Sequence, residues 1–464
     1  MGQKFSAESA IDTLRESVRG SVVTPGSPDY DDARQVYSGT ADLRPVVVVR
    51  AADAADVQAA VRMARDTGLE LAVRAGGHSA AGHGTTEGGI VIDLSGLTTL
   101  DIYPAARTAN AGAGLTAGDF VREVGKYSLA TGFGDTASVG IGGITLGGGF
   151  GLLSRKFGMT IDALLGAEVV TADGQVLEVD AEHHPDLFWA IRGGGGNFGV
   201  VTDFTFRLFE VSEVVGGMLV LPATPQVLAG FIDAAGRAPD ELTSIVTVLP
   251  CPPLPFVPES VHGSTVLLTQ LAYAGDQAAG EQAIAPFRAL ATPMADLIKT
   301  QPYPDLFSPE ETPRVTAVTR TQFLDTVDES VADTMISGIT DSPAPMRMLQ
   351  LRVLGGAVAR VAPEATAYAF RDKKIVTYLG GFYQGEDNRT STLDWSDGLV
   401  AALDQGDSDS YVNFVGEPGQ ATVTNCYPPA TLARLAAVKN RYDPTNLFRR
   451  NHNIVPTPDG TLVG

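Results

Sequence analysis

The most informative stretch of this chain is Arg74-Ala75-Gly76-Gly77-His78-Ser79, which directly follows a predicted strand at residues 69–73. Two more glycine-rich stretches follow, at residues 138–151 and 193–199. Glycines beside a polar residue let backbone amides approach a ligand closely, and that ligand is usually a phosphate. Three such loops in one half of the chain predict one large anionic cofactor that is held by backbone groups.

Composition sets broad limits on the function. The 464 residues are too many for one compact core, so two or three domains are expected. The formal net charge of −21 would repel a phosphate backbone, which argues against a nucleic-acid partner. No apolar run reaches the roughly 20 residues that a bilayer span needs, so no membrane partner is expected. The beginning of the chain lacks the apolar stretch of a secretory signal.

Cysteine and histidine usage predicts neither a disulfide framework nor a metal site. Cys251 and Cys426 lie far apart, and this usage fits a reducing cytoplasm. The pair His183-His184 has no third ligand at a fitting spacing, so we interpret it as a solvated turn before a helix. We therefore expect a cytoplasmic protein without a bound metal.

Strand and helix signals alternate before the first glycine-rich loop. A strand at 45–49 is followed by a helix at 53–67, which Asp53 caps and Gly68 ends, and then by the strand at 69–73. This is a βαβ unit, in which a parallel pair of strands is expected.

Later segments predict a hairpin and a second domain. Asp173-Gly174 lies between two apolar runs and is a strong hairpin signal. Beyond residue 214 the glycine-rich loops stop, and strands alternate with helices as in a second α/β domain. A final helix covers residues 430–441.

The glycine-rich stretches have competing interpretations. Residues 194–199 match the G-x-G-x-x-G fingerprint of a Rossmann dinucleotide fold, which should follow a strand and open a helix. Here a predicted helix at 186–192 precedes the glycines, and a predicted strand at 200–208 follows them. No P-loop motif occurs. Purely structural glycines explain any single stretch, although they account poorly for three together.

Five sequence blocks occur together in one order. They are Arg74-Ala75-Gly76-Gly77-His78-Ser79, Val139-Gly140-Ile141-Gly142-Gly143, Leu146-Gly147-Gly148-Gly149-Phe150-Gly151, residues 186–199, and Tyr442-Asp443-Pro444-Thr445-Asn446-Leu447-Phe448 with Asn451 and Asn453. In this combination they resemble the berberine-bridge-enzyme-like branch of the vanillyl-alcohol-oxidase flavoprotein superfamily. The match is dense over 45–208 and 411–455, and thin over 239–342.

The resemblance implies an α+β fold with a PCMH/VAO-type FAD-binding domain of two α/β subdomains. It also implies a substrate domain with an antiparallel sheet that helices cover on one side. The expected boundaries are 1–212 for the first part of the FAD-binding domain and 213–410 for the substrate domain. Residues 411–464 are expected to return to the FAD-binding domain.

The resemblance also implies how FAD is held. His78 takes the place of the histidine that is bonded to the flavin 8α-methyl, and Gly76, Gly77 and Ser79 would hold the pyrophosphate. Relatives with a second link carry a cysteine where this chain has Thr136, so we expect a monocovalent histidyl-FAD. The other implied cofactor positions are Arg74, Ala75, His83, Val139, Gly142, Gly143, Leu146, Gly149, Gly196, Asn197, Gly199, Val200, Asn413, Asn451 and Asn453.

Catalysis in this family needs a base, and a tyrosine near the last helix often serves. Tyr427 is the first candidate, and Tyr378 and Tyr383 are the second candidates. The pKa of an ordinary tyrosine, near 10, would have to be lowered by a charge or hydrogen bond. The alternative for each is a packed aromatic side chain with a satisfied hydroxyl.

The predicted function is that of an FAD-dependent oxidase acting on a small alcohol, amine or phenol, in secondary-metabolite tailoring. Hydride would pass to flavin N5, and O2 would be the electron acceptor that yields H2O2. The small side chain of Val139, expected beside the flavin, favours reaction with O2. The alternatives are a dehydrogenase or oxidative cyclase with another acceptor, a silent binding protein, and a nicotinamide dehydrogenase.

Overall fold

The computed structural model describes residues 7–39, 41–307, 316–383, 387–417 and 419–457. These residues form an α+β fold with three main sheets, one two-stranded ribbon and flanking helices. The predicted fold class is confirmed. In the described part of the chain, no helix is both long enough and apolar enough to cross a bilayer.

The N-terminal part is a four-stranded sheet with three helices. Its elements are α1 (Ala7–Ser17), β1 (Ser21–Val23), α2 (Tyr30–Ala33), β2 (Val47–Arg50), α3 (Ala54–Thr67), β3 (Leu71–Arg74) and β4 (Ile90–Asp93). The strand order is β1-β2-β4-β3, and both β2 and β3 are parallel to β4. The two strands of the predicted βαβ unit are therefore not neighbours. The fully buried strand β4 lies between them, as suits a central parallel strand.

Helix α3 shows why the first glycine-rich loop lies where it does. The Asp53 side chain accepts a hydrogen bond from the Asp56 amide at 3.1 Å, and Gly68 ends the helix with a φ of 74°. Both predicted caps are confirmed. The buried apolar face of α3 packs in the main core, so β3 returns parallel to β2 and delivers the loop that carries His78 at its carboxyl end.

The second part is a five-stranded antiparallel sheet with a separate ribbon. Its strands are β5 (Leu100–Tyr103), β6 (Thr108–Gly112), β7 (Leu129–Ala130), β8 (Leu164–Val170), β9 (Val176–Asp180), β10 (Val200–Arg207) and β11 (Phe209–Glu210). Its helices are α4 (Ala117–Gly125), α5 (Ile141–Gly147), α6 (Ser154–Phe157) and α7 (Pro185–Ile191), with a 3-10 turn at Thr160–Asp162. The sheet order is β5-β6-β10-β8-β9, and β7 pairs with β11.

Two predictions about this part are confirmed. Strands β8 and β9 form the hairpin, and Gly174 in its turn has a φ of 83°. The loop at 193–199 connects α7 to β10. A helix thus precedes the glycines and a strand follows them, the reverse of the Rossmann arrangement.

The third part is a nine-stranded antiparallel sheet. Its strands are β12 (Val214–Pro222), β13 (Leu242–Pro250), β14 (Thr265–Tyr273), β15 (Ala295–Asp296), β16 (Lys299–Gln301), β17 (Ala317–Arg320), β18 (Phe323–Leu324), β19 (Met346–Val353) and β20 (Ile375–Phe382). Its helices are α8 (Pro225–Arg237), α9 (Gln277–Arg288), α10 (Glu329–Thr340), α11 (Ala357–Arg360) and α12 (Asp387–Ala402), with 3-10 turns at Glu259–Val261 and Tyr303–Leu306. The main order is β15-β12-β14-β13-β19-β20-β17.

Apolar side chains of α8, α9 and α10 pack with one face of this sheet. The α/β alternation of the sequence therefore belongs to an antiparallel sheet with helical cover, as the family resemblance implied. In β19, Leu349, Leu351 and Val353 lie in that covered core. Because side chains alternate along a strand, Met348, Gln350 and Arg352 lie on the opposite face of the sheet, away from the helices.

The C-terminal segment contains a 3-10 turn at Val412–Phe414, α13 (Gln420–Cys426) and α14 (Pro429–Tyr442). Its apolar side chains, from Val412 to Ile454, pack in the same core cluster as those of the first two parts. The chain thus returns, after the third part, to the region of the glycine-rich loops.

Candidate active site

One cavity of about 460 Å³ collects side chains from distant segments of the chain. The loop after β3, helix α5, the loop at 193–199 and the C-terminal segment form one side. Strands β19 and β20 of the third part contribute the other side. The site therefore exists only when all parts of the fold are assembled.

His78 lies on the wall of this cavity and is held from two directions. Its ring stacks on the ring of Tyr37, with 4.8 Å between ring centroids and an interplanar angle of 16°. The ring also makes a hydrogen bond to the backbone of Ser138. Burial lowers the pKa of His78, and the hydrogen bond to Ser138 partly opposes that shift. The imidazole is therefore neutral near pH 7.

Arg74 stabilises the same loop through buried hydrogen bonds and an ion pair. Its guanidinium donates to the carbonyls of Ala33 at 2.5 Å and Gln35 at 2.9 Å, and it pairs with Asp93 at 2.8 Å. The charge is buried and fully committed to these groups. Arg74 thus supports the cavity wall by tying the loop to the segment that contains Tyr37.

Glycines in the cavity wall allow two loops of the chain to approach each other closely. A Cβ atom on Gly76 would lie 2.3 Å from the amide nitrogen of Gly140, so the two loops approach within a distance that excludes any side chain. Gly143 and Gly196 differ, because a Cβ atom on either would meet no atom within 4 Å. Both line the cavity, so the absent side chains leave open space for a ligand.

Comparison with known proteins identifies the architecture. The family model for an FAD binding domain matches residues 45–180, and the model described as berberine and berberine like matches residues 410–455. The chain is 30% identical over 458 residues to (R)-6-hydroxynicotine oxidase of Paenarthrobacter nicotinovorans, covering 95% of this chain and 97% of that protein. The chain belongs to the berberine-like family of FAD-linked oxidoreductases.

Other comparisons agree with this assignment. A chitooligosaccharide oxidase of Gibberella zeae is 28% identical over 496 residues, covering 97% of this chain and 96% of that protein. The crystal structure of 6-hydroxy-D-nicotine oxidase from Arthrobacter nicotinovorans superposes with a TM-score of 0.84 at 28% identity, covering 95% of this chain and 99% of that one. The resemblance stated from the sequence blocks is confirmed, and the protein is an FAD-linked oxidoreductase.

Most of the predicted cofactor positions of this berberine-like oxidoreductase line the cavity. They are Arg74, Ala75, Gly76, Gly77, His78, Ser79, His83, Thr136, Val139, Gly142, Gly143, Leu146, Gly196, Asn197, Gly199, Val200, Asn413 and Asn451. Two others lie outside the described lining. A Cβ atom on Gly149 would meet the Thr160 hydroxyl at 2.0 Å, so Gly149 faces the interior. Asn453 also lies outside it, although Asn451 and His452 of the same tail line the cavity.

Unpartnered polar atoms around the cavity fit a bound FAD. Within the described residues, His83 Nε2, His452 Nδ1 and Asn451 Oδ1 are buried without a hydrogen-bond partner. Such atoms are costly unless a ligand or water satisfies them. The rings of His83 and His452 pack edge to face, with 4.7 Å between the ring centroids. Arg450 lines the cavity beside them. These residues would offer hydrogen bonds and positive charge to an anionic cofactor.

The two imidazoles are neutral in the protein alone. Burial, together with the neighbouring His452 and Arg450, lowers the pKa of His83 to about 3. Burial also lowers the pKa of His452 to about 4, which a hydrogen bond to the Val415 backbone partly opposes. A bound phosphate would favour the protonated rings and so raise both pKa values.

Asn197 joins the glycine-rich loop to the C-terminal tail. Its side-chain amide donates to the carbonyls of Gly194 at 2.9 Å and His452 at 3.1 Å, and its oxygen accepts from the Ile454 amide at 2.9 Å. All of these partners are backbone groups. Asn197 therefore shapes the cofactor site by cross-linking two segments of its wall.

The structure separates the three tyrosine candidates. Tyr427 lines the cavity but is buried, and its hydroxyl donates to the Gly193 carbonyl at 3.1 Å, while burial raises its pKa well above the ordinary value. That geometry is the packed alternative, and it does not favour Tyr427 as a base. Tyr383 follows the last residue of β20 and lies outside the described cavity lining. Tyr378 lines the cavity.

Tyr411 and Arg352 are among the residues of the cavity wall that the sequence did not predict. Tyr411 accepts hydrogen bonds at its hydroxyl from the Gly149 amide at 2.8 Å and from Asn413 Nδ2 at 3.0 Å. Arg352 pairs with Asp135 at 3.1 Å and donates to the Phe150 carbonyl at 3.1 Å. The alternation of side chains along β19 could have placed Arg352 on the face opposite the helices. Its partners Asp135 and Phe150 are remote in sequence, so the contacts themselves could not be predicted.

A leucine at Gly143 is expected to lower flavin content without unfolding the protein. Gly143 lies in α5 on the cavity wall, where an added Cβ atom would meet no atom within 4 Å, so a longer side chain there would extend into the cavity. Overpacking of this kind costs about 1–3 kcal/mol, so flavin retention should fall roughly tenfold. The ratio of flavin absorbance to protein absorbance measures this. Gly236→Leu is the matched control, since Gly236 is an equally open helical glycine of α8 outside the described lining.

Proposed function

We propose that this protein is an oxidase that removes a hydride from a small organic substrate and passes the electrons to O2, yielding H2O2. The observation that carries the proposal is the single cavity in which His78 and the glycine-rich wall face Gln350, Arg352 and Tyr378. The wall proposed to bind the cofactor and the wall proposed to bind the substrate thus line the same cavity. Relatives named as oxidases of 6-hydroxynicotine and of chitooligosaccharides support the oxidase assignment.

Bound FAD would supply the redox chemistry, namely hydride acceptance from the substrate and electron transfer to O2. The chain's own residues bind and orient the substrate and exclude water from the cavity. Val139 lines the cavity with a small side chain, which leaves room for O2. The guanidinium of Arg352 is balanced by Asp135, so this part of the wall carries no net charge. A neutral alcohol or phenol therefore fits it better than a cationic amine.

We further propose that FAD is attached once, through His78. The neutral imidazole on the cavity wall supports a histidyl bond, because an unprotonated nitrogen is the nucleophilic form. Thr136 lines the same cavity, and the family resemblance places at this position the cysteine of relatives with two links. Its hydroxyl has no thiolate form, which supports one bond rather than two.

We also propose the domain limits and the setting stated for the sequence. The boundaries at 212/213 and 410/411 are supported by the change from the second sheet to β12 and by the return of the tail to the first core. A cytoplasmic location and a role in tailoring small metabolites are supported by composition. Both cysteines are free and buried, which suits a reducing compartment.

A substrate screen under two atmospheres tests the oxidase proposal. Without O2, a true substrate should bleach the flavin absorbance, and admission of air should restore the colour with one H2O2 formed per turnover. If a substrate bleaches the flavin but air restores it slowly and without peroxide, the protein is a dehydrogenase. A purified protein without flavin absorbance would contradict the oxidase proposal and support the alternative of a binding protein without catalytic activity.

Tyr378→Phe is expected to lower kcat/KM about fivefold. Tyr378 lines the cavity and burial raises its pKa, so it is a neutral phenol that can hydrogen-bond a substrate hydroxyl. Loss of such a bond costs about 1 kcal/mol. Steady-state peroxide production measures the effect. Tyr383→Phe, on the same segment but outside the described lining, should stay close to the parent enzyme, and equal losses in both variants would remove Tyr378 from the site.

A further inference from the structure

The segment after α2 lies across the loop that carries His78. The Arg74 guanidinium binds the carbonyls of Ala33 and Gln35, and the Tyr37 amide donates to the Gly77 carbonyl at 3.0 Å. These contacts fix the backbone of Tyr37 next to that of His78. The two residues are far apart in sequence, so the arrangement is a product of the fold.

The side chains of Tyr37 and His78 are held in register by this backbone contact. The rings are nearly parallel, at 16°, with centroids 4.8 Å apart, and both line the cavity. The hydrogen bond to the Ser138 backbone holds the imidazole at its edge. A turn of the imidazole about its Cβ–Cγ bond would break either the stack or the hydrogen bond. One ring nitrogen is thus committed to Ser138, and the other keeps its lone pair.

We propose that Tyr37 is a positioning residue that holds the His78 imidazole in the orientation in which its unprotonated nitrogen attaches to the flavin. This inference rests on the proposed bond between His78 and FAD. A new bond joins that nitrogen to the 8α carbon. One hydrogen leaves the imidazole and one leaves the methyl group, and O2 takes both with two electrons as H2O2. The Ser138 backbone accepts the hydrogen bond of the ring N–H as positive charge develops on the ring.

The surroundings of Tyr37 argue against a role in folding alone. The side chain is only half-buried, and it belongs to none of the buried apolar clusters formed by the described residues. Its truncation should leave the core intact. Stacking needs the ring and not the hydroxyl, so phenylalanine should preserve the function.

The test measures attachment separately from binding. Parent protein, Tyr37→Ala and Tyr37→Phe are produced in a riboflavin-starved host and mixed with FAD. Flavin that remains with acid-precipitated protein is followed over time, together with equilibrium FAD occupancy and the melting temperature. Tyr127→Ala, which truncates an exposed tyrosine, is the matched control.

The expected result is attachment slowed roughly tenfold or more in Tyr37→Ala, with near-parent rates in Tyr37→Phe and Tyr127→Ala. FAD occupancy and melting temperature should be unchanged in all variants. Parent-like attachment in Tyr37→Ala overturns the positioning role while leaving the His78 bond in place. Equal slowing in Tyr37→Phe, or loss of FAD occupancy in Tyr37→Ala, also overturns it. Absence of attached flavin in the parent protein overturns the bond itself.

Discussion

His78→Ala should abolish covalent flavin: parent protein precipitated in acid should keep its yellow colour, and the variant should release all of it. The parent imidazole is neutral, it faces the cavity, and its orientation is fixed by Tyr37 and Ser138. No other residue of the Arg74–Ser79 block carries a comparable nucleophile. The effect is therefore all or none rather than graded.

The measurement is flavin fluorescence of the washed precipitate, supported by the mass of the intact chain. His83→Ala is the matched control, because it removes a second cavity imidazole while leaving the His78 loop unchanged. It should weaken the hold on free FAD but keep the bond. Flavin that remained attached in His78→Ala would contradict the assignment and direct attention to another nucleophile of the wall.

Lys439→Met should cost about 3–5 kcal/mol of unfolding free energy, the range for breaking a buried ion pair. Lys439 and Asp443 are both fully buried, 2.6 Å apart. The ammonium also donates to the carbonyls of Asn197 at 2.7 Å and Phe448 at 2.9 Å. Burial lowers the pKa of Lys439, and the Asp443 carboxylate opposes that shift. Methionine fills the space but leaves a charged carboxylate and two carbonyls without their partner.

The same substitution should loosen the cofactor site. Asn197 and Phe448 line the cavity, so the lost cation releases two points of its wall. Flavin content and the urea midpoint of unfolding should fall together. Lys126→Met is the matched control, since Lys126 pairs with Glu123 at the same 2.6 Å but on the surface. Exposed pairs contribute at most about 1 kcal/mol, and equal losses in both variants would refute the role assigned to burial.

Local rules worked where one short segment held all the information. Asp53 and Gly68 bound α3 as predicted, since both caps act on their own helix. Asp173-Gly174 turns the hairpin because the left-handed conformation of a glycine is a local property. The glycine-rich loops also pointed to a cofactor, since close backbone approach requires residues without a Cβ atom.

Local rules failed where a partner came from elsewhere. The neighbour of β2 proved to be β4, a strand that follows β3 in the chain. Tyr427 met the Gly193 carbonyl, which no pattern around residue 427 could reveal. Arg352 and Asp135 became a pair only because the third sheet packs on the FAD-binding part.

The sequence alone identified the family, and it singled out the three glycine-rich loops and the histidine that line the cavity. Those features reside in short contiguous blocks whose chemistry does not depend on distant partners. The tertiary structure was needed to show that Tyr378 and Tyr427 line the cavity while Tyr383 lies outside the described lining, that Tyr37 stacks on His78, and that Lys439 supports the cavity wall. Each of these depends on the burial and orientation of side chains from separate segments, and packing sets both.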